Sequence, residues 1–552
     1  MKIKTITIKN FRSFKNSTTI KFEENYTTLV GKNGTGKTSI LEAINLATSF
    51  SFVESKIKPD DYNNDNENIE IIVEFDEFFF INIPDGWQTR RLPSKTIKFI
   101  AKHREKATPG KAFSGIFTAD QYVIPYEFTD RNNLSVEDNK YIPKSVIKQG
   151  NKFKFKRENN SKVEVSDQML IVRNNLDNFP NIFYFSKERD KDLKPGYFTT
   201  FQKILNELNW RFFKDYKTSE RNDYVKKWED IYSFIINKVE APKQSKIIKI
   251  NLLKDKIRKF LGEKFKSFEI SLFNLRQPFD DAFFSLREND KIITLSRMAS
   301  GELMVIAYFL LKLTSELSRE EIIFLIDDPE LHLHPQLQYK LFKEVKLSKF
   351  QHILATHSDI FIDLGNWKTI KRLTDNGIYP NDELLKEKYG KSVSLEKELR
   401  GHLDDIKTLC QDKTIFRRED NEILFCEKCL LVEGPNDKYG VLALANKLNF
   451  DFSKLTIRYC VGRDNIHFYQ TICLAYGIDF FVVYDQDGNG KNNLIEELSL
   501  EDKVFSFTTS FENFIGSEKL YEILKKIDEL DKNSLNKEIK DCLGNINKFL
   551  GN

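Results

Sequence analysis

At 552 residues the chain is too long for one hydrophobic core, and two or three domains are expected. A composition 40% apolar and 30% charged is that of a soluble globular protein, and a net charge of only +4 excludes a uniformly basic surface. Any nucleic-acid affinity must therefore come from local basic patches. Met1–Lys9 alternates polar and apolar like a strand, without the apolar core of a signal peptide, and no later window is apolar enough to span a bilayer. The expectation is a cytoplasmic protein with no membrane contact. All six cysteines lie in the last third, which is no disulfide framework in a reducing compartment. Cys426-Glu427-Lys428-Cys429 is a C-x-x-C, but no second pair stands at zinc spacing, so zinc or redox chemistry is the lesser reading.

In chain order, residues 1–83 read as strands (Ile3–Ile8, Thr18–Phe22, Thr27–Val30, Ile69–Phe75) around one helix. Gly31-Lys32-Asn33-Gly34-Thr35-Gly36-Lys37-Thr38 fits the phosphate-loop pattern G-x-x-x-x-G-K-[ST]. It follows an apolar strand and opens a helix at Ser39, so backbone N–H groups around Asn33, Gly34 and Gly36 converge on an anion at a helix N-terminus. Lys37 reaches the β- and γ-phosphates of ATP and Thr38 holds Mg²⁺. From Pro84 to Val165 the pattern breaks into short β-like runs with two basic clusters: Lys95, Lys98, Lys102, His103, Arg104, Lys106 and Lys111, then Lys148, Lys152, Lys154, Lys156 and Arg157 alternating with Phe153 and Phe155. Such alternation is usually a solvated face over a core, with a nucleic-acid surface as the sharper reading. Residues 199–265 read as helices, Phe201–Phe213 being a packing or dimerisation element.

Strand character resumes at Phe268–Phe273. Ser300-Gly301-Glu302 is a small-residue turn before a helix over Leu303–Leu313, again suited to an anion. Ile322–Asp327 is an apolar strand that delivers Asp327 to Mg²⁺ and Asp328 to the attacking water. Gln351–His357 is a strand ending in a histidine where a γ-phosphate sensor can stand. After a polar stretch, Cys429–Asp437 reads as strand, acid, glycine turn and helix start, followed by a helix over Lys438–Leu448, a strand over Leu455–Cys460, a helix entry at Val461–Ile466, and the strand and acids of Asp479–Asp487. Acids at the ends of parallel strands share one sheet edge, so Glu433, Asp485 and Asp487 are expected to converge. Carboxylates without His or Cys suit Mg²⁺ or Mn²⁺.

The set Asn10-Phe11-Arg12, Gly31–Thr38, Ser300-Gly301-Glu302, Asp327–Pro335 and Thr356-His357-Ser358 resembles the ABC-type ATPase head of SMC, RecF-like and OLD-family proteins. The resemblance implies nucleotide contacts at Arg12, Asn33, Gly34, Gly36, Lys37, Thr38, Ser39, Ser300, Gly301, Glu302, Asp327 and His357. It also implies a homodimer whose heads sandwich ATP, with a tetramer left open. Asp328 stands where that group usually has Glu, which implies slow hydrolysis and ATP used as a clamp or signal. E-G followed by D-x-D resembles the Toprim domain, with Glu433 as general acid/base or metal ligand and Asp485 and Asp487 as metal ligands. Asp437 matches the second acid of the OLD-type variant, and Glu512, in Phe511-Glu512-Asn513, its later acidic motif.

The expected fold class is α/β: a split ABC-type ATPase with a mixed helical/β insertion, then a Rossmann-like parallel-sheet Toprim domain. Its boundaries are 1–83 and 266–375 for the ATPase, 84–265 for the insertion, 376–425 for a linker, 426–516 for Toprim and 517–552 for a helical tail. The order is that of the OLD family, which includes the Gabija nuclease subunit and retron-associated effectors. It implies an ATP-regulated, metal-dependent DNA endonuclease in antiphage defence, with a helicase or a retron reverse transcriptase and its noncoding RNA and DNA as partner. The competing reading is an ATP-dependent DNA or protein clamp with a non-catalytic Toprim domain. A topoisomerase or primase, with Tyr484 as an unassigned cleavage tyrosine, is a third.

Overall fold

The computed structural model describes residues 1–49, 57–85, 88–103, 117–125, 146–149, 152–156, 162–166, 169–170, 176–188, 254–262, 265–271, 283–288, 291–294, 298–318, 321–381, 418–486, 495–496, 498–499, 503–531 and 535–551. The expected helix at Phe201–Phe213, the basic residues Arg104, Lys106, Lys111 and Arg157, and the acid Asp487 lie outside them. The described residues form two compact units, Met1–Thr27 with Gly36–Thr356, and Thr28–Thr35 with His357–Asn552. No helix among the described residues is long and apolar enough to cross a membrane.

In the first unit β1 (Ile3–Lys9) buries Ile6 and Ile8, as alternation demands, and also Ile3, which lies beyond a register shift between Ile3 and Thr5. It pairs antiparallel with β2 (Thr18–Lys21) and with β4 (Ile69–Asp85), whose long partner is β5 (Gln88–His103). The sheet continues through β6 (Phe117–Pro125) to β10 (Met169–Leu170), with β11 (Leu176–Asp177) paired to β4. β7 (Val146–Gln149), β8 (Lys152–Lys156) and β9 (Lys162–Ser166) make a separate antiparallel meander, so the Lys–Phe alternation does fall on a strand. A second meander comprises β13 (Phe265–Ser271), β14 (Phe283–Glu288) and β15 (Lys291–Thr294).

The parallel strands β12 (Asn181–Phe185), β16 (Ile322–Asp327) and β17 (Gln351–Ala355) lie side by side in that order. β16 and β17 are buried at every position, which is why β16 reads as an apolar run up to Asp327 rather than as an alternation; in β17 the buried Gln351 and His352 precede the apolar Ile353–Ala355. Two helices belong to this layer. α1 (Lys37–Thr48) begins at Gly36, whose φ of 100° is a left-handed conformation open to glycine. α2 (Ser300–Ser318) buries every residue from Leu303 to Leu311 and so has no solvent face over that stretch.

In the second unit, the end of β3 (Tyr26–Gly31) pairs parallel with β18 (Ile370–Thr374), which pairs antiparallel with β19 (Gly377–Tyr379). Gly31 lies so close to β18 that a Cβ there would sit 2.3 Å from the Leu373 carbonyl oxygen. A four-stranded, all-parallel sheet follows in the order β21 (Leu455–Tyr459), β20 (Lys428–Val432), β22 (Asp479–Asp485) and β23 (Val504–Phe507). Its helices are α4 (Pro435–Leu448), α5 (Ile466–Ala475), α6 (Phe511–Ile515), α7 (Leu520–Glu529) and α8 (Lys537–Leu550), with α3 (Pro335–Lys346) preceding them in the first unit.

One apolar cluster runs from Val30, Ile370 and Tyr379 to Leu431, Val482 and Tyr484, so the phosphate-loop strand and the C-terminal sheet share a core. Arg372 crosses that core. Its guanidinium donates to the carbonyls of Cys426, Tyr476 and Leu424 at 2.6, 2.9 and 3.0 Å. Each bond from a charged donor contributes about 1.5–3 kcal/mol net, and loss of the arginine would leave three carbonyls to find other donors.

Candidate functional site

The first constellation lies at the C-terminal end of β16. Lys37 is buried to 6% exposure. Burial lowers its pKa, opposed by the nearby carboxylates of Asp328, Asp327 and Glu330. Thr38 Oγ1 donates to Asp327 Oδ1 at 3.1 Å, bringing together the two residues expected to hold Mg²⁺. Burial, then repulsion from Asp328, pushes Asp327 up to about 7. A carboxylate this reluctant to ionise is one that a cation stabilises. Asp328 takes a left-handed φ of 47°, its N–H bonded to the Ala355 carbonyl at 2.8 Å.

Around this pair, Thr356 donates to Glu330 at 2.7 Å. Gly301 at the start of α2 faces the His332 carbonyl, where a Cβ would approach to 2.6 Å. Ser39 and Ser300 are buried and Glu302 is half-buried. Arg12 bonds Asp61 at 2.8 Å and pairs with Glu42, so its guanidinium is engaged by two acids. In the second unit, Asn33 is exposed, Gly34 has a φ of 83°, and His357 is exposed. Lys32, the second residue of the phosphate loop, pairs with Glu427, directly before β20. Within the first unit, the fit to a nucleotide rests on a buried ammonium at Lys37 and a hydroxyl–carboxylate pair, Thr38 and Asp327, for Mg²⁺.

The second constellation lies at the C-terminal edge of β20 and β22. Asp437 in the first turn of α4, Asp485 ending β22 and Glu512 in α6 each bring a carboxylate oxygen within 4.8 Å of the others. Asp437 accepts from the Gly434 N–H at 2.8 Å, and Asp485 from the Phe511 N–H at 3.3 and 3.4 Å. Glu433 Oε1 accepts from the Asp485 N–H at 2.7 Å, so the carboxylate that ends β20 is tied to the backbone that ends β22. Arg463 Nη1 donates to the Asp485 carbonyl at 3.0 Å.

Burial, then repulsion from Glu512 and Glu433, pushes Asp437 up to about 7. Burial, then Asp437 and Glu433, pushes Asp485 up to about 8. Hard oxygen donors with unsatisfied charge fit Mg²⁺ or Mn²⁺. The structure thus brings together Asp437, Asp485 and Glu512, with Glu433 bonded beside them.

Two lesser readings end here. Tyr484 is 1% exposed and donates to Glu496 at 3.1 Å, which places it in the core rather than at a cleavage site. Cys429, Cys460 and Cys473 are likewise core residues, and the cation-type cluster found among the described residues is carboxylate alone. Sequence reasoning had no role for Asn436, whose amide Nδ2 donates to Glu512 Oε1 at 3.0 Å, or for the Thr356–Glu330 pair.

Fold and acids together define an ATPase joined to a Toprim-type acidic site. Residues 1–362 match the AAA ATPase domain family, and residues 424–487 match the overcoming lysogenization defect protein-like TOPRIM domain. The chain belongs to the AAA ATPase domain family, and the stretch behind that domain is similar to an OLD-like Toprim domain. Among curated relatives, the OLD nuclease of Thermus scotoductus is 27% identical over 308 residues, 49% of this chain and 57% of that protein. The match thus spans little more than half of that relative. Endonuclease GajA of Bacillus cereus is 22% identical across 100% of this chain and 87% of its own length. The retron Vc95 probable ATPase of Vibrio cholerae is 23% identical over 68% of this chain and 74% of that one. Of solved structures, the Smc head domain of Pyrococcus furiosus, bound to the C-terminal domain of ScpA, aligns with 68% of this chain and 94% of its own at 14% identity and a TM-score of 0.37.

The raised carboxyls give stability a definite pH dependence. Asp437 and Asp485 bind protons more tightly when folded than at their ordinary value of 3.8. Their contribution is therefore full below about pH 4 and is lost as pH rises to about 8. Thermal melts of metal-free protein should show falling stability across that window. Mn²⁺ should recover it at high pH, and Asp485→Asn should flatten the slope; equal slopes in wild type and Asp485→Asn would contradict the assignment.

Proposed function

We propose that this chain is an ATP-regulated, divalent-metal-dependent DNA endonuclease acting in antiphage defence. The observation that carries it is the convergence of Asp437, Asp485 and Glu512 at one sheet edge. A bound Mg²⁺ or Mn²⁺ supplies charge for the phosphodiester transition state and a more acidic water. The chain's own part is to hold that charge and to manage protons. Asp437, Asp485 and Glu512 hold the cation, with Asp487 as a further ligand; Glu433, anchored on the Asp485 N–H, serves as general acid/base beside them.

At the ATPase head, the phosphate-loop amides and Lys37 bind the nucleotide phosphates, while Thr38 and Asp327 hold Mg²⁺. Asp328 orients water, and His357 senses the γ-phosphate. Ser300, Gly301 and Glu302 meet the nucleotide of a second protomer, so the working unit is a homodimer. The names of the relatives, two nucleases and a retron ATPase, support DNA as substrate and a defence system as the setting. A helicase or a retron reverse transcriptase is the partner proposed.

Regulation by ATP has a route in the second unit. The core shared by Val30 and β20–β22, the Arg372 bonds and the Lys32–Glu427 pair all join the phosphate loop to the sheet that bears the acids. Both members of the ion pair are half exposed, at 50% and 58%, so it contributes at most about 1 kcal/mol. That corresponds to about a fivefold coupling, a modulation rather than a switch.

Cleavage of supercoiled plasmid tests the reading. Wild type with Mg²⁺ or Mn²⁺ should nick or linearise DNA, and Asp485→Asn should lose about a hundredfold or more in rate. Lys37→Ala should still cut but no longer respond to ATP. Intact plasmid in every wild-type lane would refute the nuclease of the isolated chain. For the coupling, Lys32→Gln and Glu427→Gln should each reduce the effect of saturating ATP on cleavage by about two- to fivefold, and the double variant should do no more than either one. Full additivity would remove the pair from the route.

A further inference from the structure

Among the three carboxylates of the acidic site, Glu512 is the one least held by its surroundings. Asp437 and Asp485 are buried and short, and each accepts a backbone N–H. Glu512 is half-buried, on the five-residue helix α6, and has one more methylene than its partners. Left alone beside two like charges, such a side chain turns toward water. Its neighbour Asn436 opposes that turn. The Asn436 amide nitrogen donates to Glu512 Oε1 at 3.0 Å and to the Glu518 carbonyl at 3.1 Å. Both partners are acceptors, so the two amide hydrogens are used and the plane of the amide is set.

We propose that Asn436 is a positioning residue that sets the Glu512 carboxylate for cation binding. This rests on the reading of Asp437, Asp485 and Glu512 as the metal site of the nuclease. Three features favour it. Asn436 stands one residue before Asp437, in the first turn of α4, so one helix start places both a ligand and the residue that orients another. The contact engages one carboxylate oxygen and leaves the other for a cation. The donor is also uncharged: a lysine or arginine here would hold Glu512 equally well but cancel the negative charge on which the cation depends, whereas an amide orients the carboxylate and leaves its charge in place.

The test is Mn²⁺ binding to the full chain without nucleotide, by titration calorimetry and by the electron paramagnetic resonance of free Mn²⁺. The site is defined as the binding that Asp485→Asn removes. Asn436→Ala should weaken that binding about tenfold, as loss of a ligand-orienting partner does elsewhere, with the melting temperature of the metal-free protein unchanged. Asn436→Gln, which keeps the amide donor, should lose less. Glu512→Ala should weaken binding as well, and adding Asn436→Ala to it should cost nothing further, since the amide acts through Glu512. Unchanged affinity in Asn436→Ala, or a loss that adds in full to that of Glu512→Ala, would overturn the positioning role. If Asp485→Asn leaves Mn²⁺ binding untouched, the metal-site reading itself fails and the positioning role fails with it. If Asp485→Asn abolishes binding while Asn436→Ala leaves it intact, the metal site stands and the role of Asn436 alone is refuted.

Discussion

Burial of Asp437 and Asp485, reinforced by repulsion from neighbouring carboxylates, is the constraint around which the C-terminal sheet is arranged. Parallel strands β20 and β22 are buried at nearly every position, so the only place to keep a charge is where they end. The chain puts acids there, then adds Asp437 and Glu512 from the helices that follow. Backbone N–H groups of Gly434, Phe511 and Asp485 offset part of the cost. They do not remove it, because Asp437 and Asp485 remain well above the ordinary carboxyl range. An arrangement that opposes its own ionisation near neutral pH is one that a divalent cation would stabilise.

The ATPase end repeats the logic with a different finish. Asp327 ends a wholly buried strand, is pushed up by burial and by Asp328, and is met by the Thr38 hydroxyl. Lys37 supplies a cation from the chain itself, but one that burial makes costly; in the nucleotide site proposed above, a triphosphate with its metal would satisfy acid and ammonium together. In the second unit the phosphate-loop strand is built into the same core as the acidic sheet, and Arg372 bonds the carbonyls of Leu424 and Cys426, ahead of β20, and of Tyr476, between α5 and β22. Within this unit the phosphate-loop strand and the acidic sheet thus share one core.

Much of this was legible in the residues because the key elements are strands that end in chemistry. Gly31–Thr38 and Ile322–Asp328 carry their positions in spacing alone, and β3, α1, β16 and β17 lie where the apolar runs put them. Glu433 and Asp485 were readable in the same way. Asp437 and Glu512 needed the resemblance to OLD-type Toprim domains, since an acid in a first helical turn is equally a cap; Asp437 does accept the Gly434 N–H as a cap would. Asn436, Arg372 and the Lys32–Glu427 pair could not be read. Their partners are 76, 52 to 104 and 395 residues away, and an amide or a charge carries no periodicity that names a distant partner. Of the long β4–β5 pair, the sequence showed Ile69–Phe75 as a strand but not the full length, because Pro84, Pro93 and the intervening polar residues break the alternation that marks shorter strands.

The central claim is that a catalytic cation sits among Asp437, Asp485 and Glu512. The most direct measurement is anomalous diffraction from crystals soaked in Mn²⁺. A peak within bonding distance of those three carboxylates, absent in Asp485→Asn, is the result predicted. Mn²⁺-dependent cleavage by a protein whose only anomalous peak lies at Thr38 and Asp327 would contradict it.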